Sequence, residues 1–324
     1  MPTTMLLENL VSPVTIAFLM GMIASLIRSD LEIPEPVIRI ISIYLLFSIG
    51  IQGGQELSHV SFDEVAAGLG VVAALVLLLP VAAFLVARHI LRLSVPDATG
   101  IAALYGSVSS VTFLVARSYA DGMGTPMDGY VTGLVALIEL AILVALLVGR
   151  LAMSRQGDLK LPLGELFMET LRGRGLLLLG GGLVMGAAIG EKNFTRIEPF
   201  FVDLFRGVLV LFLLEMGMAA ARQLRAFGAV AGRMIAFGLV NPLLFGFAAT
   251  GLATAAGLSL GSAAVIGAVA ASASYIDAPA AVRATFPEAN PSIWLTSSLG
   301  ITFPFMMLAG VPLVYQFATF WAGL

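Results

Sequence analysis

The stretch VIGAVAASASYIDAPAAVRATF (residues 265–286) decides the fold. Its flanks are apolar and helix-forming, but its middle, Ser272-Ala273-Ser274-Tyr275-Ile276-Asp277-Ala278-Pro279, is not. Serine hydroxyls offer the backbone competing hydrogen bonds. Pro279 cannot donate to a helical ladder and disfavours helix at Ala278. The segment therefore reads as an apolar helix interrupted at its centre. A second stretch, IAALYGSVSSVTFLVAR (101–117), reads the same way, with its interruption at Gly106-Ser107-Val108-Ser109-Ser110. The two align near an offset of 165 residues, which places Ser107 and Ser109 on Ser272 and Ser274.

Outward from these segments the chain is almost uniformly apolar. Of its 324 residues 59% are hydrophobic and 11% are charged, against roughly 25% charged in soluble domains. A soluble fold of this length cannot hide that much apolar surface, whereas a bilayer accepts it. A spanning helix needs about 20 apolar residues, and the sequence predicts ten spans, near 11–28, 37–57, 64–88, 97–119, 129–150, 174–190, 199–222, 229–256, 260–287 and 291–318. The broken segments are the fourth and ninth. The net charge of −3 gives no reason to expect nucleic acid, and the absence of Cys excludes disulfides and thiolate metal sites. The first ten residues carry Glu8 and no Lys or Arg, so no cleaved signal peptide is expected.

Positive residues orient the spans. With the N-terminus outside, thirteen of the seventeen Lys and Arg fall at inward ends. Four fall at outward ends: Arg117, Lys192, Arg196 and Arg206. Both termini are then outside, and the polar, amphipathic linker 151–173 is cytoplasmic. A further internal match supports two halves. LFSIGIQGGQEL (46–57) aligns with LLEMGMAAARQL (213–224) at an offset of 167, and each follows a Glu-Pro pair, Glu35-Pro36 and Glu198-Pro199. The expected organisation is a five-helix repeat in 1–150, the linker 151–173, and a second five-helix repeat in 174–324. Five is odd, so the second repeat is inverted relative to the first. The fold class expected is an all-α membrane protein with ten transmembrane helices, helices 4 and 9 being broken and crossing.

Paired broken helices in inverted halves point to a site near the membrane midplane. Each break exposes helix N-terminal N–H groups that suit an anion and carbonyls that suit a cation. The hydroxyls of Ser107, Ser109, Ser110, Thr112, Ser272 and Ser274 serve either. The bland reading is that Ser and Gly let helices pack closely. Its weight falls because both clusters occupy matching places. Two acids lie within spans, Glu139 and Asp277. An ionised carboxylate in hydrocarbon is costly, so each should face a cavity, a cation or a proton path. Glu215 lies nearer a span end, where Arg222 offers it a partner. Arg117 and Arg283 read first as interface anchors. His59 and His89 do not make a metal site, and there is no phosphate-binding glycine loop or catalytic triad.

At its broken spans the chain resembles the sodium-dependent bicarbonate transporter family best known from cyanobacteria. The match is strongest over ASASYIDAPAAVRATFPEANPSIWLTSSLGITFPF (271–305), and continues in YGSVSSVTF (105–113), IPEPVIRIISIYLLFSIGIQGG (33–54) and LFLLEMGMAAARQL (211–224). The resemblance implies a homotrimer in a bacterial inner membrane and a bicarbonate and sodium site where spans four and nine cross. It places substrate on Gly106, Ser107, Val108, Ser109, Ser110 and Thr112, facing Ser272, Ala273, Ser274 and Tyr275. It implies an acid near sodium in the fifth span, Asp in relatives and Glu139 here, and the sodium site is expected among Ser109, Glu139, Ser274, Asp277 and Thr302. No cofactor is expected beyond sodium as coupling ion, and family members can be closed by a small PII-like regulatory protein on the cytoplasmic face. Both breaks depart from the family pattern. Val111 lacks a hydroxyl that relatives carry in the first break, while Ser107 gains one, and Asp277 stands where relatives have Ala. Competing readings are a transporter of another small anion or carboxylate, a sodium or proton antiporter working through Glu139 and Asp277, and a membrane sensor signalling through 151–173. An intramembrane enzyme lacks any recognisable catalytic set.

Overall fold

In lipid a long apolar segment must satisfy its backbone internally, which leaves helices as the answer for this sequence. The computed structural model describes residues 12–58, 61–154, 174–225, 232–275 and 277–324, and no strand occurs among them. The side chain of Asp277 and the linker beyond Ser154 lie outside the described part. The helices are α1 (Pro13–Leu26), α2 (Glu35–Leu57), α3 (Phe62–Leu85, continuing as Val86–Ile90), α4 (Val95–Gly106), α5 (Ser110–Gly122), α6 (Val131–Ile138) and α7 (Ala141–Ser154). They are followed by α8 (Arg174–Glu198), α9 (Phe205–Arg225), α10 (Gly232–Ala255), α11 (Leu260–Ala270), α12 (Asp277–Thr285) and α13 (Pro291–Ala322). Starts are set by local chemistry. Ser12, Ser94, Ser109 and Ser259 each accept a hydrogen bond from the amide three residues on, which satisfies one orphan donor of the first turn.

The chain is an all-α membrane protein. Six helices among the described residues are long and apolar enough to cross a membrane: Glu35–Leu57, Val65–Ile90, Val95–Gly122, Val131–Met153, Gly232–Ala255 and Pro291–Ala322. The other four expected positions are also helical but are not among these six. The 14 residues of α1 and the 11 of α11 are too few. A kink interrupts α8 at Gly190 (φ 68°), and for α8 and α9 only the described residues enter that measure.

Burial sorts the helices into layers. From Ala98 to Ala116 every residue but Ser110 is buried, and so is α11 from Gly261 to Ala270. By contrast Leu77 and Leu78 on α3 and Val240 and Leu244 on α10 face outward, where lipid would meet them. To the side, α1 packs on α9 and α2 on α8 through backbone contact. A Cβ at Gly217 would sit 2.0 Å from the carbonyl oxygen of Phe18, and one at Gly54 would sit 2.0 Å from that of Leu183. Small residues permit this approach where lipid supplies no hydrophobic drive between helices.

Structural features recur along the chain. Gly54 and Gly217 are 163 residues apart, as are Glu35-Pro36 and Glu198-Pro199. The caps Ser94 and Ser259 are 165 apart, and so are the left-handed residues Arg92 (φ 59°) and Gly257 (φ 82°). Pro80 and Pro242 lie inside α3 and α10. Pro80 abuts Gly106, and Gly246 abuts Ala271 in the corresponding place. By environment the counterpart of Gly217 is therefore Gly54, one helical turn beyond the Gly50 that sequence alignment pairs with it.

Candidate functional site

The two interruptions fall where the serine runs predict. The backbone leaves helix after Gly106 and resumes at Ser110. It leaves again after Ala270 and resumes at Asp277; Ile276 lies outside the described residues. Pro279 is the third residue of α12 and does not sit in the break itself. First-turn amides have no intrahelical partner, so a proline is tolerated there.

The broken segments lie side by side and antiparallel, and three sets of hydrogen bonds fix this. At the start of α4, Asp97 accepts from Ser94 (2.6 Å) and from the Asn290 amide beyond α12 (2.8 Å). At the start of α11, the Asp128 carboxylate beyond α5 accepts from Ser259 (2.6 Å) and Ser262 (2.7 Å). Each segment's beginning thus holds the other's end. In the middle, break meets break: the Ser109 amide donates to Ser272 Oγ (3.0 Å), and the Ser274 amide donates to the Leu104 carbonyl (2.7 Å).

Around this junction the expected site residues separate into three groups. The first is a hydroxyl cluster on the helix starts. Ser109 Oγ caps α5 by accepting from the Thr112 amide (3.2 Å), and also accepts from Thr112 Oγ1 (3.0 Å). Ser272 Oγ donates to the Val269 carbonyl (2.6 Å). Ser274 Oγ accepts weakly from the Ala278 amide (3.4 Å). The Tyr275 hydroxyl is buried near Ser109 without a partner of good geometry among the described residues, and its ring packs on Phe303 at 5.2 Å. Gly106, Val108 and Ala273 are buried backbone of the junction. Ser110, by contrast, faces a cleft shared with Ser42, Leu114 and Phe212.

The second group is Ser107 with Glu139. Ser107 is extended (φ −98°, ψ −173°), and its hydroxyl donates to Glu139 Oε2 at 3.0 Å. Glu139 is only 3% exposed, so a charged carboxylate there needs compensation from its surroundings. It sits at an irregularity that periodicity does not reveal. Between α6 and α7 the bonds tighten to three-residue spacing at Glu139, Leu140, Ile142 and Leu143. The span Val131–Met153 therefore tightens locally at its one acidic residue. An ionisable residue inside an apolar span was the only available signal for this.

The third group joins Thr302 to Tyr105. Thr302 Oγ1 donates to the Gly238 carbonyl (2.7 Å) and contacts the Tyr105 hydroxyl (2.7 Å), which also contacts Ser297 (2.6 Å). This buried chain ties the residue before the first break to α10 and α13. No bond links Thr302 to Glu139 among those described. Tyr105, Ser297 and Gly238 are the neighbours that sequence reading missed. Their partners are more than sixty residues away, and the only hint was a tyrosine beside the break. The Asp277 side chain, expected near sodium, lies outside the described residues. Glu215 pairs with Arg222, as its position near a span end led one to expect.

Chemically, the junction offers amides and hydroxyls at helix starts, carbonyls at helix ends, and one buried carboxylate. That mixture can hold an anion and a hard cation close together. No curated protein matches the sequence. A family model described as the Na+-dependent bicarbonate transporter superfamily matches residues 13–319, nearly the whole chain, and the protein belongs to that superfamily.

Proposed function

We propose that the protein is a sodium-coupled bicarbonate symporter, with substrate and ion carried where the fourth and ninth spans cross between two inverted five-helix halves. The observation that carries this reading is the direct bonding of break to break, Ser109 to Ser272 and Ser274 to Leu104, with a buried carboxylate one hydroxyl away. The antiparallel run of the two broken segments and the recurrence of caps, prolines and left-handed residues near an offset of 165 support the inverted halves. The excess of Lys and Arg at one set of span ends supports both termini being outside. A bacterial inner membrane, a homotrimer and a PII-like regulator on the cytoplasmic face are inherited parts of the same proposal.

In this scheme bicarbonate lies against the starts of α5 and α12, on Ser109, Thr112, Ser272, Ser274 and Tyr275. Sodium lies toward Ser107 and Glu139. Either ion alone is poorly compensated in a low dielectric, while together they neutralise one another, which is a physical reason for coupling. One helix bundle then moves against the other, by an elevator-like or rocking motion, and carries the junction across. A cation antiporter is the second reading, favoured by the buried Glu139. Labelled bicarbonate uptake into proteoliposomes, with and without an inward sodium gradient, separates the two. Symport predicts uptake that collapses without the gradient and in Ser109→Ala. Equal uptake in both conditions refutes coupling, and sodium exchange with no anion requirement favours the antiporter.

A further inference from the structure

Beyond the junction, a cavity of about 240 Å³ opens at the far end of α5. Its polar lining is Ser12, Gln52, Arg117, Ser118, Asp121 and Arg206. Leu114 belongs both to this cavity and to the narrower cleft that reaches Ser110 at the first break. Ser110, Leu114, Arg117 and Asp121 are spaced four, seven and eleven residues along one helix, so they share a face. From Ser110 to Arg117 that face climbs about 10 Å. The cavity with Arg117 and Arg206 in its lining and the tight cleft at Ser110 thus lie along one face of α5, with Leu114 between them.

The charges at the mouth are incompletely paired. Asp121 and Glu56 are the acidic neighbours of Arg117, and Arg206 is its basic one. Asp121 reaches Arg206 at 3.9 Å, the outer limit of an ion pair. Arg117 makes no hydrogen bond or ion pair within 4 Å among the described residues. A guanidinium recessed in a cleft without a close partner favours an anionic one. Its planar fork of donors matches a small oxyanion.

We infer that this cleft is the outer entrance for the transported anion, with Arg117 as its selectivity residue. Arg117, helped by Arg206, concentrates small oxyanions at the mouth, about 10 Å along α5 from the break. This rests on the proposed anion transport but assigns a separate site and residue. It gives Arg117 a role beyond that of the interface anchor read first from the sequence.

The absence of cysteine from the chain makes the test clean. Ser118 lines the cleft beside Arg117 and belongs to none of the junction groups. In purified full-length Ser118→Cys protein, modification rates are measured with a sulfonate-bearing and a trimethylammonium-bearing methanethiosulfonate. Charge focusing in a cleft raises local counter-ion concentration about tenfold or more, so the anionic reagent is expected to react about tenfold faster. Arg117→Gln should abolish that preference and Arg117→Lys should retain it. Any general effect on thiolate formation cancels in the ratio. In proteoliposomes Arg117→Gln should raise KM for bicarbonate with maximal rate preserved. A cationic preference, or a ratio unchanged by Arg117→Gln in monodisperse protein, overturns the inference. If the anionic preference holds while wild-type protein transports no bicarbonate, the entrance stands and the substrate assignment falls.

Discussion

Glu139→Gln is the most informative single change. The replacement keeps shape and can still accept from Ser107, whose hydroxyl lies 3.0 Å from Oε2, so packing at this 3% exposed position is preserved. What disappears is one negative charge. A monovalent cation about 4 Å away at an effective dielectric near 20 interacts with that charge by about 4 kcal/mol. Part of this is offset, because the ion-free protein no longer has to keep a carboxylate buried. A net loss of about 2 kcal/mol corresponds to roughly a thirtyfold rise in the sodium concentration for half-maximal uptake. The assay is bicarbonate uptake at fixed bicarbonate and varied sodium, with a thermal stability curve in detergent as control. Stability should hold or rise while sodium affinity falls. An unchanged sodium dependence in a variant that still transports refutes the placement of sodium at Ser107 and Glu139.

Three further outcomes are expected. Tyr105→Phe strips the hydroxyl that lies between Ser297 and Thr302. It should cost about 1–3 kcal/mol, seen as earlier thermal unfolding in detergent. Gly217→Ala forces a Cβ against the Phe18 carbonyl, where 2.0 Å is available. It should destabilise by about 1–3 kcal/mol through separation of α1 from α9, while Ala at the open position Gly207 serves as a neutral control. Asp128→Ala removes the acceptor shared by Ser259 and Ser262. It should raise amide hydrogen exchange at the start of α11 and in the connection before α6, with little change around Asp97.

Some of the candidate site was legible in advance because its signals are local. Ser107 to Ser110 and Ser272 to Ser274 compete with their own backbone for hydrogen bonds, so the starts of both breaks could be placed within a residue or two, while the end of the second was set three residues too late, at Pro279. The starts at Ser94 and Ser259 belong to the same class of short-range chemistry. The irregular turn at Glu139 was not legible, since VALIELAILVALL has the composition of an uninterrupted helix. Nor was the capture of Thr302 by Tyr105, because a threonine in an apolar span gives no indication of which distant hydroxyl it will meet.

Composition and chain order by themselves determined that this is an all-α membrane protein. Apolar residues at that density leave lipid as the only tolerable solvent, and lipid leaves helices as the backbone's internal solution. The internal offset between the two serine breaks was likewise visible in the letters. Only the tertiary structure decided which groups share a neighbourhood. It brought Ser109 to Ser272, put Ser107 on Glu139, moved Thr302 to Tyr105, and opened a cavity beside Arg117. Each of these depends on helices far apart in sequence approaching within a few ångströms. That approach is set by backbone contacts at glycines and by start-to-end bonding of antiparallel segments, which no single stretch of sequence encodes.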